Sequence, residues 1–230
     1  MQIDLHNFFK FYDEKNPKHV AAVEQLEKDL SSRASDLMLD SSNWVRIYRT
    51  PIEPPKTGIQ LNVPWFPQTD NAIQPQRTCN SSCCAMCLEY FKPGTLKGAK
   101  GDDAYVQKVF AIGDSTDHVV QTRVLASYGV NSHFSYGLSF SDLDRELAAG
   151  RPVVIGILHR GSLSAPTGGH MVVVIGKTPS GDYVVNDPYG SLNDGYTGAV
   201  LNGKGAVYKK SELVRRWCPA GNDGWGRIFK

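Results

Sequence analysis

Three short runs in the second half of the chain, "RPVVIGILHR", "GHMVVVIGKT" and "GDYVVNDPYG", are dense in β-branched residues and bounded by turn formers. Such side chains are stiff at their first torsion and pack best on a pleated surface. The stretch "KTPSGD" between the last two runs carries the chemistry of a hairpin connection. An antiparallel sheet is therefore expected there, with "GAVYKKSEL" and the final "GWGRIF" as edge strands. The preceding sequence reads differently. It predicts helices over Cys79 to Phe91, Asp102 to Ile112 and Thr116 to Tyr128, then a strand at "GVNSHFSYG". A short helix follows at "DLDRELAAG", with Ser141 as cap, Asp144 as the acid of a capping box and Gly150 as its stop. Helices first and an antiparallel sheet second imply an α+β domain.

The first 50 residues form a separate stretch, a helical lead-in to a main domain over residues 51–230. Val20, Val23, Leu26, Leu30 and Leu37 recur at three- and four-residue spacing, the mark of an amphipathic helix. Asn16 is its candidate cap and Pro17 suits its first turn. The lead-in is expected to pack on the main domain, with a separate binding or targeting module as the alternative. The proline-rich "RTPIEPPKTG" reads as an extended connector, and the domain proper starts near Ile59 with the strand-like "IQLNVPWFPQ".

A chain of 230 residues with 41% hydrophobic and 21% charged residues is an ordinary globular one. Its net charge of +2 gives no pull toward nucleic acid or anionic lipid. The longest apolar run, "MVVVIG", is far short of a membrane span, so no membrane insertion is expected. The amino terminus lacks the basic start and apolar stretch of a secretory signal, which points to synthesis in the cytosol. No cofactor is implied, and a monomer is expected.

Four of the five cysteines lie in "TCNSSCCAMC". Zinc usually takes paired ligands from two places, and no second cluster exists here. A disulfide within one short helix has the wrong geometry. Core packing suits Cys83, Cys84 and Cys87, since cysteine is among the most buried residue types. Cys79 differs: it stands where the helix starts, after the polar loop "QTDNAIQPQRT". Unpaired N–H groups and the positive dipole end there favour a thiolate. An ordinary cysteine is only about 3% thiolate at pH 7, so the position makes Cys79 the candidate nucleophile.

A thiol nucleophile needs a base, and the base an orienting group. Of the six histidines, His6 and His19 fall in the lead-in. His118, His133 and His159 lack a companion acid. His170 opens "HMVVVIG", and Asp187 closes the next run, "YVVND". Paired through the "KTPSGD" turn, the two fall at one end of a hairpin within a residue or two of register. Each also has a plainer reading, a strand-start histidine and a turn aspartate ahead of Pro188. An amide donor for a developing oxyanion could come from Gln68, Gln74 or Gln76, and Gln68 is favoured because the "VPWFPQ" strand would hold it still. The tail with Trp217 and Trp225, and the loop "PYGSLNDGYTG", read first as packing and turn formation and second as walls of a substrate groove.

The blocks "VPWFPQTDN…TCNSSCCAMCLEYF", "GGHMVVVIG" and "YVVNDPYG" resemble the bacteriocin-processing branch of papain-like cysteine peptidases, from about Ile59 to Asp187. The order Gln, Cys, His, Asp matches. The chain departs from the pattern in having Asn80 where such proteins often carry Gly. The resemblance implies a papain-like fold with Cys79 as nucleophile, His170 as base and then acid, Asp187 as its orienter and Gln68 at the oxyanion. It implies a peptide substrate, with peptidoglycan stem or cross-bridge peptides cut by a lysin-like endopeptidase as the favoured case. Leader-peptide processing, another amidase or transferase, and a non-catalytic binding protein on this fold are the alternatives.

Overall fold

The structure is a computed structural model that describes residues 16–21, 25 and 58–230. The chain divides into two compact units, Met1–Glu53 and Pro54–Lys230. In the first, a helix starts at Pro17, and the Asn16 side-chain oxygen accepts from the backbone N–H of Lys18 at 3.0 Å, as a cap should. The amphipathic positions Val23, Leu26, Leu30 and Leu37 lie outside the described residues, as does the connector before Gly58.

The second unit is a seven-stranded sheet with helices on both faces. In chain order its elements begin with β1 (Ile59–Gln60), α1 (Cys79–Phe91), α2 (Asp102–Phe110), α3 (His118–Ser127), β2 (Ser132–Leu138) and α4 (Phe140–Ala148). They continue with β3 (Val153–Ile157), β4 (Arg160–Ser162), β5 (Ala165–Thr167), β6 (His170–Lys177), β7 (Tyr183–Asn186), β8 (Ala206–Tyr208), α5 (Lys210–Arg216) and β9 (Gly224–Phe229). The sheet order is β2-β9-β3-β6-β7-β8, with β1 beside β6, while β4 and β5 form a separate ribbon. Every pairing is antiparallel.

The β-branched runs are continuous because both faces of the sheet are buried. Along β6, Met171, Val173 and Ile175 face a core shared with α1, α2 and α3, where Cys83, Cys84, Met86, Cys87 and Leu88 are sealed. Val172 and Val174 point the other way, into a core with Leu143 and Leu147 of α4 and Leu213 of α5. The strand period of two thus divides one apolar run between two cores.

Three expectations are corrected. "GWGRIF" is no edge: β9 lies between β2 and β3, and the edges of the path are β2 and, as expected for "GAVYKKSEL", β8. The "IQLNVPWFPQ" strand shrinks to Ile59–Gln60. The capping box sits two residues earlier, with Ser139 as cap and Asp142 as its acid. Phe140 draws the helix start back by packing against Tyr183 and Trp217. Asp144 is committed elsewhere, accepting from the Lys177 ammonium at 2.7 Å and the Tyr183 hydroxyl at 2.9 Å.

Gly156, in β3, lies under the indole of Trp225, where an added Cβ would overlap the ring. Gly156→Ala is therefore expected to cost about 1–3 kcal/mol of stability, read as a lower denaturation midpoint. An unchanged midpoint would show that Trp225 yields freely.

Candidate active site

Cys79 is the first residue of α1, so the unpaired N–H groups of the first helical turn surround it. Thr78 stands at the cap position without capping, because its hydroxyl accepts from the Asn71 amide at 2.9 Å. That amide also donates to Ser82 at 3.0 Å, and the Ser82 hydroxyl donates to Asp102 at 2.7 Å. This chain of buried polar groups ties the helix start to the preceding loop and to α2.

His170 opens β6 and Asp187 follows the last residue of β7, with Asn186 opposite Val173 in the ladder. The two side chains meet: His170 Nε2 lies 2.7 Å from Asp187 Oδ1, with 4% and 0% of each exposed. This leaves Nδ1 for the Cys79 side, where imidazole and thiol hydrogen-bond. Burial opposes charge on both partners. It is outweighed at His170 by the Asp187 charge and hydrogen bond and by Cys79, which together raise the imidazole to about 10. At Cys79 burial is outweighed by His170 and by the backbone N–H groups of Met171 and Asn80, so the thiol falls below its ordinary value. The three residues favour a thiolate–imidazolium pair.

Asp187 is held on every side. Oδ1 also accepts from the Tyr189 backbone N–H at 2.9 Å, and Oδ2 accepts from the hydroxyls of Tyr208 at 2.6 Å and Tyr196 at 3.1 Å. Tyr208, which reaches Asp187 from β8, carries no signal in the sequence. Tyr196 and Tyr189 belong to the "PYGSLNDGYTG" loop. Their rings, with that of His159, pack 5.1–6.0 Å from His170 between centroids.

Gln68 is buried at the start of a 3-10 turn, Gln68–Asp70, not on a strand. What holds it is the segment that ends in Asp187. The Gln68 backbone N–H donates to the Pro188 carbonyl at 2.8 Å, the Trp65 indole donates to the Asp187 carbonyl at 3.0 Å, and the Asn186 amide donates to the Val63 carbonyl at 3.1 Å. The Gln68 side-chain amide donates one hydrogen to the Pro75 carbonyl at 2.8 Å, in the loop leading to Cys79. Gln74 and Gln76 are exposed.

The thiol opens on a cleft of about 170 Å³ lined by Asn80, Thr116, His118, Gly169, Met171 and Trp225, besides Cys79 and His170. His118, set aside in the sequence for lack of an acid, lies here stacked on Phe134 at 3.4 Å. Burial and the nearby Arg227 charge lower it to about 4, so it is neutral. Asn80 does not mimic a glycine: its amide donates to the Ser115 carbonyl at 3.1 Å and lies 3.3 Å from His118 Nδ1. Trp217 is buried packing, whereas Trp225 forms a wall of this cleft. Among the described residues, no group of three or more His, Cys, Asp or Glu side chains could hold a metal ion.

Comparison with known proteins gives the family. Residues 60–222 match the family described as the Peptidase_C39-like family. No curated protein matches the sequence. A crystal structure described as a C39-like peptidase from Bacillus anthracis aligns with a TM-score of 0.52 at 15% identity, covering 75% of this chain and 97% of that one. UfSP from C. elegans aligns at 14% identity with a TM-score of 0.39, over 77% of this chain and 34% of its own.

The geometry makes Cys79 the one thiol to alkylate rapidly at pH 7. His170→Ala should slow its labelling at least tenfold by removing what offsets burial, while Cys83, Cys84 and Cys87 stay unlabelled in both proteins. Peptide mass mapping reads this directly. Asp187→Asn should bring the imidazole well down from about 10, because Cys79 alone then opposes burial. With the imidazolium weakened, the thiolate loses its main support, so the onset of Cys79 labelling should move to higher pH. Because the folded imidazole lies above its unfolded value, the stability it gains is complete below about 6.5 and fades as pH rises toward 10. Asp187→Asn should remove that pH dependence from the denaturation midpoint.

Proposed function

The chain belongs to the Peptidase_C39-like family of cysteine peptidases, and on that premise we propose that it hydrolyses peptide bonds through an acyl-enzyme on Cys79. The observation that carries the assignment is the buried His170–Asp187 pair at 2.7 Å with the lowered Cys79 thiol beside it. The thiolate attacks the carbonyl carbon of the scissile bond. The resulting oxyanion takes hydrogen bonds from the Cys79 backbone N–H and the Gln68 amide. The imidazolium gives its Nδ1 proton to the leaving nitrogen, the C–N bond breaks, and an acyl thioester remains. His170 then takes a proton from water, the hydroxide attacks the thioester, and the thiolate leaves. Asp187 stays ionised and holds the ring's tautomer and orientation.

The substrate we propose is a short peptide of peptidoglycan, met after release to the cell wall. The cleft at Cys79 supports this reading because its small volume and its Gly169 wall suit residues of alanine or glycine size, which stem and cross-bridge peptides supply. Incubation with purified peptidoglycan should release new amino termini, counted by mass spectrometry of the soluble fragments. Cys79→Ala should release none. Gln68→Ala should lower kcat by about 10²–10³ with KM little changed, since the oxyanion forms only after substrate is bound. Full turnover by Cys79→Ala would refute the mechanism. Inert peptidoglycan, with Cys79 still acylated by an active ester, would refute the substrate only and leave leader peptides or acyl transfer.

A further inference from the structure

A second, larger cavity of about 460 Å³ lies on the other side of His170, lined by His159, Arg160, Gly161, Tyr189, Tyr196 and Arg216 among others. Three of these, His159, Tyr189 and Tyr196, are the rings packed around the catalytic imidazole. The mechanism decides which part of a substrate would lie there. The acyl half stays on Cys79, in the smaller cleft. The leaving nitrogen must come to His170 to receive its proton, so the chain that departs with it runs past His170 and away from the thiol.

The charge in the cavity is selective. Arg216 is almost fully buried and four of its five N–H donors are committed, with its charge paired to Glu212: Nε pairs with Glu212 at 2.9 Å, Nη1 donates to the carbonyls of Leu158 at 2.7 Å and Arg160 at 3.1 Å, and Nη2 donates to that of Gly161 at 3.3 Å. It is therefore a strut that pins the backbone of residues 158–161. Arg160, fixed by that strut, carries an exposed guanidinium with no ion pair or hydrogen bond among the described residues. His159 is neutral, lowered to about 4 by burial and by the His170 and Arg160 charges, and its Nδ1 is buried without a partner. The nearby Asp194 carboxylate already accepts from the Tyr196 backbone N–H at 3.0 Å and the Asn202 amide at 2.9 Å. Among the described residues, the cavity thus presents one cation without an ion pair or hydrogen bond, an unpartnered imidazole nitrogen and two aromatic walls.

We propose that this cavity is the subsite for the leaving-group residue and that Arg160 makes it select a residue bearing a carboxylate. The proposal rests on the acyl-enzyme reading above, and it narrows the substrate class: cleavage falls on the amino-terminal side of an acidic residue. Arg160 acts on specificity and takes no part in bond breaking.

The test uses the reverse partition of the acyl-enzyme, which needs no natural substrate. N-acetylglycine p-nitrophenyl ester acylates Cys79 and releases nitrophenolate. An added amino-acid amide then competes with water: its amine attacks the thioester carbonyl, its proton passes to His170, and the Cys79 thiolate leaves. The ratio of transfer to hydrolysis is read by mass spectrometry for glutamic acid α-amide, glutamine amide and lysine amide. Glutamic acid α-amide should be favoured over glutamine amide about tenfold, equal to about 1.4 kcal/mol. Arg160→Gln should bring the two close to parity, Arg160→Lys should keep the preference, and Arg160→Glu should shift it to lysine amide. Equal partition in the parent, or an unchanged preference in Arg160→Gln, overturns the subsite while a Cys79-dependent burst keeps the acyl-enzyme reading. Absence of any burst that Cys79→Ala abolishes overturns both.

Discussion

A carboxylate with no exposed surface is expensive to form, and Asp187 is one. Desolvating such a charge costs several kcal/mol unless its lone pairs are met. Here four donors meet them: the His170 ring, the Tyr189 backbone N–H, and the Tyr196 and Tyr208 hydroxyls. Charge-assisted hydrogen bonds contribute about 1.5–3 kcal/mol each, so the site is stable only when the whole cage is assembled. Each donor comes from a different place, namely the start of β6, the turn after β7, the following loop and the edge strand β8. The catalytic pair therefore reports on the folding of the entire second half of the domain. The same carboxylate raises the imidazole, which in turn holds the thiol down.

The sheet supplies the rigidity this requires. His170 lies at the first position of a strand whose alternate side chains are buried in two separate cores. A strand fixed from both faces cannot rock, and helix α1 packs across one of those faces with Cys79 at its near end. The segment Val63–Gln68 is hydrogen-bonded to residues 186–188, and the Gln68 side chain ties it to the Pro75 carbonyl in the loop before α1. Base, orienter, amide and the loop before the nucleophile are thus linked by hydrogen bonds that do not depend on substrate, which is the preorganisation electrostatic catalysis needs.

Much of this was legible. The β-branched runs and the "KTPSGD" turn gave the hairpin, and period-two register then put His170 and Asp187 at one end of it. Cys79 was legible from its place at a helix start. The errors share one cause: local pattern competes with tertiary commitment. Asp144 looked like a capping acid and serves Lys177 and Tyr183 instead. "GWGRIF" looked like an edge because it is last in the chain, but its glycines let it enter the sheet, where β3 and Leu138 crowd Gly226 too closely for a Cβ. Tyr208 could not be read at all, since nothing in "GAVYKK" says which face its hydroxyl will find.

Four thiols on one helix show how environment alone divides a residue type into roles. Cys83 and Cys87 are raised well above the ordinary value and Cys84 is raised, in each case first by burial. Cys83 donates its proton to the Met171 carbonyl at 3.2 Å and so stays a thiol. Cys79, one turn earlier, feels the same resistance from burial yet falls, because His170 and two backbone N–H groups stabilise its charged form. The cluster that first suggests metal or redox chemistry is thus a selectivity device. Three thiols fill the core without competing for the proton of His170, and the one left at the helix start faces it.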